Sequence, residues 1–392
     1  PRLDRATLRS GRSLSLSMRY FLIVGEASGD LHASALITAL KAQDPEASFA
    51  FMGVDKMAAA AGIPPVVHYR DVAFMGVMSV LKNYRTIRRR AERVQEALRA
   101  FAPDVVIPVD FADFNIRYIL PLAQELAIPS VYYILPKLWA WRAGRIKQLR
   151  RYLSHALSIL PFEVDYFRQQ GLSVSYVGNP CVDAQLSYEA EHPEPIERDP
   201  QLLALLPGSR KAELRENLPL MLQASEAHLE AGGRVAVAAA PGMTEVDYAP
   251  YLSAYPQVEL VWGDSYGLMR RAARAAVTSG TATLETALAG CPLVVCYGMG
   301  GRRALRWIFE HCFRVRYVSL VNLILDRPAV PELLGDGLSA PELRRQLELL
   351  EEGQPARRAQ LEAFDELSAT LGRSYSAPRA ARALIEQLQR QR

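Results

Sequence analysis

The feature that most constrains this chain is a rhythm. Short apolar runs at 20–24, 48–52, 105–109, 130–134, 156–159 and 173–176 alternate with stretches of helical periodicity such as 32–43 and 87–101. Runs that stay apolar throughout belong to strands buried on both faces. Helices between them supply the crossovers that parallel strands need. This is the pattern of a doubly wound α/β sheet. A Pro-rich, acidic stretch, "CVDAQLSYEAEHPEPIERDP", breaks the rhythm and reads as a linker. A second series then follows, at 202–206, 234–239, 258–261, 275–278 and 293–297. The last stretch is helical and charged, with no strand. The expected organisation is a tail at 1–17, a Rossmann-like domain at 18–182, a linker at 183–200, a second Rossmann-like domain at 201–345, and C-terminal helices at 346–392. Those helices would pack back on the first domain or be exchanged in a dimer.

The bulk numbers exclude several classes. A chain of 392 residues, half apolar and 22% charged, has the composition of a globular protein with large cores. No apolar run reaches the roughly 18 to 20 residues that span a bilayer. Residues 1–17, "PRLDRATLRSGRSLSLS", lack the apolar core of a secretory signal; they are expected to be a mis-assigned start or a disordered tail before Met18. The four cysteines, at 181, 291, 296 and 312, have no zinc-ligand or Cys-x-x-Cys spacing, and the six histidines are scattered. No metal site is expected, and the thiols read as buried and reduced in a cytoplasmic protein. The net charge is only +4, but arginines cluster at 85–93, 142–151 and 302–316, which points to anionic partners.

In doubly wound sheets ligands sit beyond the carboxyl ends of the strands, so the loops after strands carry the functional reading. In the second half, "LLPGSRKAEL" runs a strand through Gly208 and Ser209 to Arg210 at a helix start. Gly208 lets backbone come close, Ser209 can cap the helix, and Arg210 favours an anion. An ordinary turn with a surface arginine accounts for that stretch equally well. "TSGTATLETAL" offers Ser279, Gly280 and Thr281 at another helix start, with Glu285 one turn in to accept ribose hydroxyls. The strict capping box fails because Ala282 stands three before Glu285. Two anion-ready helix starts suit a nucleoside diphosphate, and no Walker-type P-loop is present.

The first half reads as an acceptor site. Its opening turn, "GEASGD", places Glu26, Ser28 and Asp30 after the first strand: Ser28 or Asp30 could cap the following helix, and Glu26 and Asp30 could bind sugar hydroxyls or orient neighbours. "DFADFN" places Asp110, Asp113 and Asn115 after another. Asp113, flanked by Phe111 and Phe114, is a candidate general base, whereas Asp110 reads equally as a helix cap. "LWAWRAGR" sets Trp139 and Trp141 beside Arg142 and Arg145, a sugar face plus a phosphate ligand. "FMGVMSVLKNYRTIRRR" puts Phe74, Met75, Met78 and Leu81 before Arg88, Arg89 and Arg90. That composition fits either an anionic membrane contact or a buried helix with a solvated basic face.

Taken in order, "GEASGDLHASALITALK", "DFADFN", "LWAWRAGRIKQLRRY", "ILPFEVDYFRQQGLSVSYVGNP", "LLPGSRKAEL", "SGTATLETALAGCPLVV" and "VSLVNLILDRPAVPELL" resemble the lipid-A-disaccharide synthases, from Met18 to about Leu334. Two departures are local. Pro136, Lys137 and Leu138 precede Trp139 where the family reads Ser-Pro-Ser-Val, and Asn179 stands where the family has a histidine, so no catalytic role is assigned there. The resemblance implies a GT-B architecture: α/β, two Rossmann-like domains with doubly wound parallel sheets facing across an interdomain cleft. It implies a metal-independent, cofactor-free, inverting transfer from UDP-2,3-diacylglucosamine to 2,3-diacylglucosamine 1-phosphate (lipid X), giving the β-1,6 lipid A disaccharide 1-phosphate and UDP. It further implies Asp113 as the base, Arg210, Ser279, Thr281 and Glu285 at the nucleotide, and Asn322 as a further donor-site position. The implied location is the cytoplasmic membrane's inner face, with a homodimer formed by exchanged C-terminal segments in some members. A UDP-sugar epimerase of the same architecture and a non-catalytic carbohydrate- or lipid-binding protein are the rival readings. No nucleic-acid module accompanies the arginines.

Overall fold

The computed structural model describes residues 17–68, 84–140, 142–298 and 316–391. Its first sheet contains β1 (Arg19–Ile23), β2 (Ser48–Gly53), β3 (Val67–His68) and β4 (Val105–Pro108), in the order β3-β2-β1-β4. Single bridges, Val106 with Ser130 and Val109 with Tyr133, continue it into β5 (Val131–Tyr133), β6 (His155–Ser158) and β7 (Val174–Tyr176). The second sheet orders β8 (Asp199–Leu206), β9 (Arg234–Ala238), β10 (Glu259–Val261), β11 (Ala272–Thr278), β12 (Leu293–Tyr297) and β13 (Glu332–Leu334) as β10-β9-β8-β11-β12-β13. Every strand pair in both sheets is parallel.

Packing explains the apolar runs. In β1, Tyr20, Phe21, Leu22 and Ile23 are all fully buried, because helices cover both faces of the sheet. The helix Ala27–Gln43 turns Ala33, Leu36, Ile37 and Leu40 inward. The helix Tyr84–Phe101 buries Ala91, Val94 and Leu98 at helical spacing and leaves Arg88, Arg89 and Arg93 in solvent. Each large apolar side chain so removed from water contributes about 1.5–3 kcal/mol. All eleven strand-like runs in the sequence are strands here. The two further strands, β3 and β13, have two and three residues.

Two segments cross between the sheets. The first is the helix Pro180–Glu191, which takes up half of the stretch that reads as linker; β8 begins at Asp199. Asn179 caps that helix, its side chain accepting from the Cys181 N–H at 2.9 Å and donating to the Ile159 carbonyl at 2.9 Å. The second crossing follows the helix Pro355–Leu371, whose Phe364, Leu367 and Leu371 join the core of the second sheet. The terminal helix Ser376–Gln391 returns to the first sheet. Its Ala377, Ala380, Ala381, Leu384 and Leu388 belong to the core of β1, β2 and β4.

Leu384 is fully buried in that core. Replacing it with alanine should therefore cost the first domain about 2–5 kcal/mol. Denaturant unfolding of the whole chain is the measurement; a loss below about 0.5 kcal/mol would show that the terminal helix is not part of that core.

Candidate active site

Both sheets reverse their winding once. In the first, β1 lies between β2 and β4; in the second, β8 lies between β9 and β11. At such a switch point neighbouring crossovers leave in opposite directions and open a crevice beyond the strand ends. The loops at these two crevices are Gly25 to Asp30 after β1, Val109 to Asp113 after β4, Pro207 to Arg210 after β8, and Ser279 to Thr281 after β11. Topology thus selects the same four loops as the sequence motifs. Ile159 and Phe162 after β6, and Trp139 after β5, pack into the core of the second sheet, so the carboxyl end of the first sheet abuts the other domain.

On the first side, the β1 and β4 loops touch. A side chain on Gly25 would collide with the Phe111 ring, 2.1 Å from the place of its Cβ. Four non-glycine residues hold left-handed φ around this crevice: Asp110 at 47°, Phe111 at 50°, Ile134 at 62° and Arg142 at 55°. Each is unfavourable by about 1–3 kcal/mol, Ile134 most plainly because it is β-branched, and such strain collects at functional sites. The buried Tyr132 hydroxyl and the Asn115 amide both donate to the Asp110 carbonyl, at 2.5 and 2.8 Å, and hold the strained pair in place. Burial pushes the Asp110 carboxyl up from its ordinary value, and the nearby Glu26 charge adds to this. Burial lowers His32, also beside Glu26. Glu26 itself is exposed and accepts from the Ser28 hydroxyl at 2.7 Å.

Two expectations for this side need correction. Asp30 is buried, and its oxygens accept from the Val54 N–H at 2.8 Å and the Lys56 N–H at 3.1 Å. It ties the first helix to the loop after β2 and is too deeply buried to meet a sugar. Asn115 is fully buried and braces Asp110 from below. Asp113, by contrast, is exposed. Arg142 donates to its two oxygens at 2.9 and 3.2 Å, and Arg145 donates to the first of them. Trp141 lies outside the described residues. Trp139 donates from its indole to the buried Glu163 at 2.9 Å, and Ser158 donates to the other Glu163 oxygen at 2.5 Å.

On the second side, Arg210 stands at the N-cap of the helix Lys211–Glu230. Ser209 does not cap it, contrary to the sequence expectation. Glu213 reaches back instead and accepts from the Ser209 and Arg210 N–H groups at 2.9 and 3.2 Å, and from the Arg210 guanidinium at 2.7 Å. Gly208, at φ 110°, leaves room for this; a Cβ there would lie 2.5 Å from the Glu213 carboxylate. Gly280 caps the helix Thr281–Leu288 and Thr281 is exposed beside it, while the Ser279 hydroxyl donates to the Val318 carbonyl at 3.2 Å. Glu285 is half-buried, which raises its carboxyl above the usual range, and its side chain makes no hydrogen bond among the described residues.

Asn322 also differs from its expected role as a donor contact. It is buried, and its amide bonds the Val330 carbonyl, the Val330 N–H and Glu332, each at 2.9 Å. Glu332 in turn accepts from the Val318 and Ser319 N–H groups. Asn322 therefore shapes the loop against which Ser279 rests. One residue here had no motif to announce it. Asn217, buried within the helix Lys211–Glu230, donates to the Thr278 hydroxyl at 2.9 Å and to the Pro207 carbonyl at 3.5 Å, and accepts from the Gly298 N–H at 3.0 Å. It clasps the carboxyl ends of β8, β11 and β12 together.

The remaining expectations fall elsewhere. Phe74, Met75, Met78 and Leu81 lie outside the described residues. Arg88 and Arg89 are exposed, Arg88 paired with Glu92 at 3.1 Å, and Arg90 is half-buried on the same helix. Cys181, Cys291 and Cys296 are buried free thiols. Among the described residues no cluster of His, Cys, Asp or Glu could hold a metal ion. A polar cavity of about 280 Å³ between His155, Arg168 and Arg390 opens at the opposite ends of β6 and β7, away from the crevices.

Two doubly wound parallel sheets with binding loops at facing switch points define the GT-B class. Solved structures of that class follow the chain almost throughout. A UDP-GlcNAc 2-epimerase from Neisseria meningitidis bound to UDP-GlcNAc matches with a TM-score of 0.59 at 12% identity, over 95% of this chain and 100% of that one. CalG4, the calicheamicin glycosyltransferase, matches at 0.59 and 15% identity, over 95% and 99%. Such low identities establish the fold alone. Sequence relatives go further. A family model described as lipid-A-disaccharide synthetase matches residues 20–383. The lipid-A-disaccharide synthase of Myxococcus xanthus is 35% identical over 378 residues, 94% of this chain and 97% of that protein. That of Syntrophus aciditrophicus is 34% identical over 372 residues, 92% and 95% of the two chains. The chain belongs to the lipid-A-disaccharide synthase family and is a glycosyltransferase.

Glu163 offers a test of the cleft wall. Burial pushes its carboxyl from 4.5 to about 7, against the opposing pull of the Ser158 and Trp139 hydrogen bonds and the Lys137 charge. A group raised on folding stabilises fully below its unfolded value and loses that contribution as pH rises through its folded value. Glu163→Gln has no proton to lose. The stability of the natural protein relative to this variant should fall by about 3 kcal/mol between pH 4.5 and 7. Urea unfolding of both at several pH values checks it; a pH-independent difference would mean that Glu163 stays ionised.

Proposed function

We propose that this enzyme transfers 2,3-diacylglucosamine from its UDP derivative to the 6-hydroxyl of 2,3-diacylglucosamine 1-phosphate, with inversion, forming the β-1,6 disaccharide 1-phosphate of lipid A and UDP. Membership of the family supports the reaction class. The single structural observation that carries the site is the meeting of four motif loops at two switch points, an exposed carboxylate on one side and a partner-free one on the other. Asp113 takes the proton of the acceptor hydroxyl as its oxygen attacks the anomeric carbon. The bond from that carbon to the diphosphate breaks on the opposite face, and UDP departs. Glu285 accepts the ribose hydroxyls. Arg210 and the N–H groups beginning the helix at Thr281 meet the diphosphate charge; such helix-end contacts contribute about 0.3–1 kcal/mol exposed and up to about 2 when partly buried. Glu26 and the Asp110 loop line the acceptor sugar.

The acyl chains bring the enzyme to a membrane. Each buried CH₂ favours the bilayer by about 0.8 kcal/mol, so two-chain substrates stay in it. Among the described residues no helix is long and apolar enough to cross a membrane. Contact through the basic face of the helix Tyr84–Phe101 and the apolar residues 74–81 before it fits a protein held at the inner face of the cytoplasmic membrane.

Two outcomes are expected. Asp113→Ala should lower turnover by about 10²–10⁴ while UDP still binds. The assay follows UDP and disaccharide together, with purified donor and lipid X; near-normal turnover would remove Asp113 as the base. UDP released without lipid X would favour the epimerase reading. Reversing Arg88, Arg89 and Arg90 to glutamate should weaken binding to anionic vesicles by roughly 100-fold or more, at about 1 kcal/mol per interfacial charge. Unchanged, salt-insensitive sedimentation with vesicles would place those arginines away from the membrane.

A further inference from the structure

The carboxylate in the base's position is occupied. Both oxygens of Asp113 accept from Arg142, and Arg145 adds a second donor to one of them. Each oxygen of a carboxylate engaged in this way already accepts from a guanidinium, so fewer lone pairs are left for an incoming hydroxyl proton. Yet the group is not a structural ion pair. Asp113 is 69% exposed, and Arg142 is 44% exposed. Pairs that open to water are held weakly and exchange readily. Two guanidiniums and one carboxylate also leave a formal charge of +1, and Lys137 stands one loop away with its charge felt at Asp110. The backbone aims the pair. Arg142 sits at left-handed φ, and Arg145 closes the short 3₁₀ turn Ala143–Arg145 that follows it. Strain of that kind collects at functional sites.

Guanidinium forks bind phosphate more tightly than a lone carboxylate, because three oxygens and a second charge can be met at once. We propose that Arg142 and Arg145 are specificity-determining residues that form both a clamp for the acceptor's phosphate and a lock on Asp113. A phosphomonoester on the acceptor draws the guanidiniums away from the carboxylate, so the base becomes free only when a phosphorylated acceptor is seated. This rests on the reading above, in which Asp113 is the base and the acceptor carries a 1-phosphate. It adds that the phosphate is required for catalysis itself, beyond affinity.

The experiment compares lipid X with the same diacylglucosamine lacking its phosphate, using the natural enzyme and the double variant Arg142→Gln, Arg145→Gln. The natural enzyme should prefer lipid X by at least about 10²-fold in kcat/KM. In the double variant the preference should shrink to about threefold or less. KM for lipid X should rise, KM for the UDP-sugar should stay put, and the rate on the unphosphorylated acceptor should hold or increase because the lock is gone. Arg142→Lys, Arg145→Lys should restore part of the preference. A preference that survives in the glutamine variant overturns the proposal, as does a change confined to the UDP-sugar KM, which would assign the arginines to the donor diphosphate. Inorganic phosphate acting on the natural enzyme gives a second test that needs no variant. It should compete with lipid X and not with the UDP-sugar, and the reverse pattern again overturns the clamp. If the natural enzyme fails to join the two sugars at all, the transferase reading falls and the clamp with it.

Discussion

A parallel sheet cannot be wound in one direction from its middle strand. Here that constraint acts twice, at β1 beside β4 and at β8 beside β11. Where the crossovers part, no helix covers the strand ends, and the loops there cannot satisfy their polar groups within a helix or a ladder. The candidate site lies at that uncovered space. The strained backbone at Asp110 and Phe111, the brace from Tyr132 and Asn115, and the clasp of Asn217 are all devices that hold loops at these two places. The cores make the sheets stable; the switch points leave the loops that form the candidate site.

Under the proposed function the two sides meet a common electrostatic problem in the same way. A site that receives phosphate must present positive charge and free N–H groups, and both are costly to leave unmatched. Glu213 fills the turn that ends in Arg210, and Asp113 fills the fork of Arg142 and Arg145. Both carboxylates belong to the protein; Asp113 is exposed, so its contacts are worth about 0–1 kcal/mol, whereas Glu213 is half-buried. An incoming phosphate has more oxygens and more charge to offer the same donors. In the proposed reaction the acceptor phosphate would release Asp113 next to the acceptor hydroxyl.

The fold was readable because buried parallel strands leave a compositional mark. Eleven apolar runs became strands; the two that escaped, β3 and β13, have two and three residues and lie outside those runs. The site was readable at the level of loops and unreadable at the level of bonds. Glu26 and Asp30 share one turn and look interchangeable in sequence. Only the amides of Val54 and Lys56, brought close by the sheet, decide that Asp30 is consumed while Glu26 remains exposed. Asn322 sits in a family motif, yet its bonds run to Val330 and Glu332. Asn217 sits mid-helix, where asparagine is a poor helix former and no motif marks it; its purpose appears only when three strand ends converge on it.

The relation of the two halves is set by a few bonds at the crossings. Tyr176, ending β7, donates its hydroxyl to the Leu371 carbonyl at 2.9 Å, so the exit from the first sheet is tied to the end of a helix built into the second. Three residues into the crossover helix, Asp183 accepts from the Ser376 N–H at 2.8 Å and its hydroxyl at 2.5 Å, at the start of the helix that returns to the first core. The chain therefore leaves and re-enters the first domain at one place, fastened by a half-buried carboxylate. Two crossings side by side constrain the domains less than two crossings far apart would. They leave the width of the cleft to the packing of Trp139 and Phe162 on the second core, and that packing carries Glu163 at one end and, three residues along from Trp139, Arg142 at the other. The wall that joins the domains is thus the same wall that aims a guanidinium at Asp113.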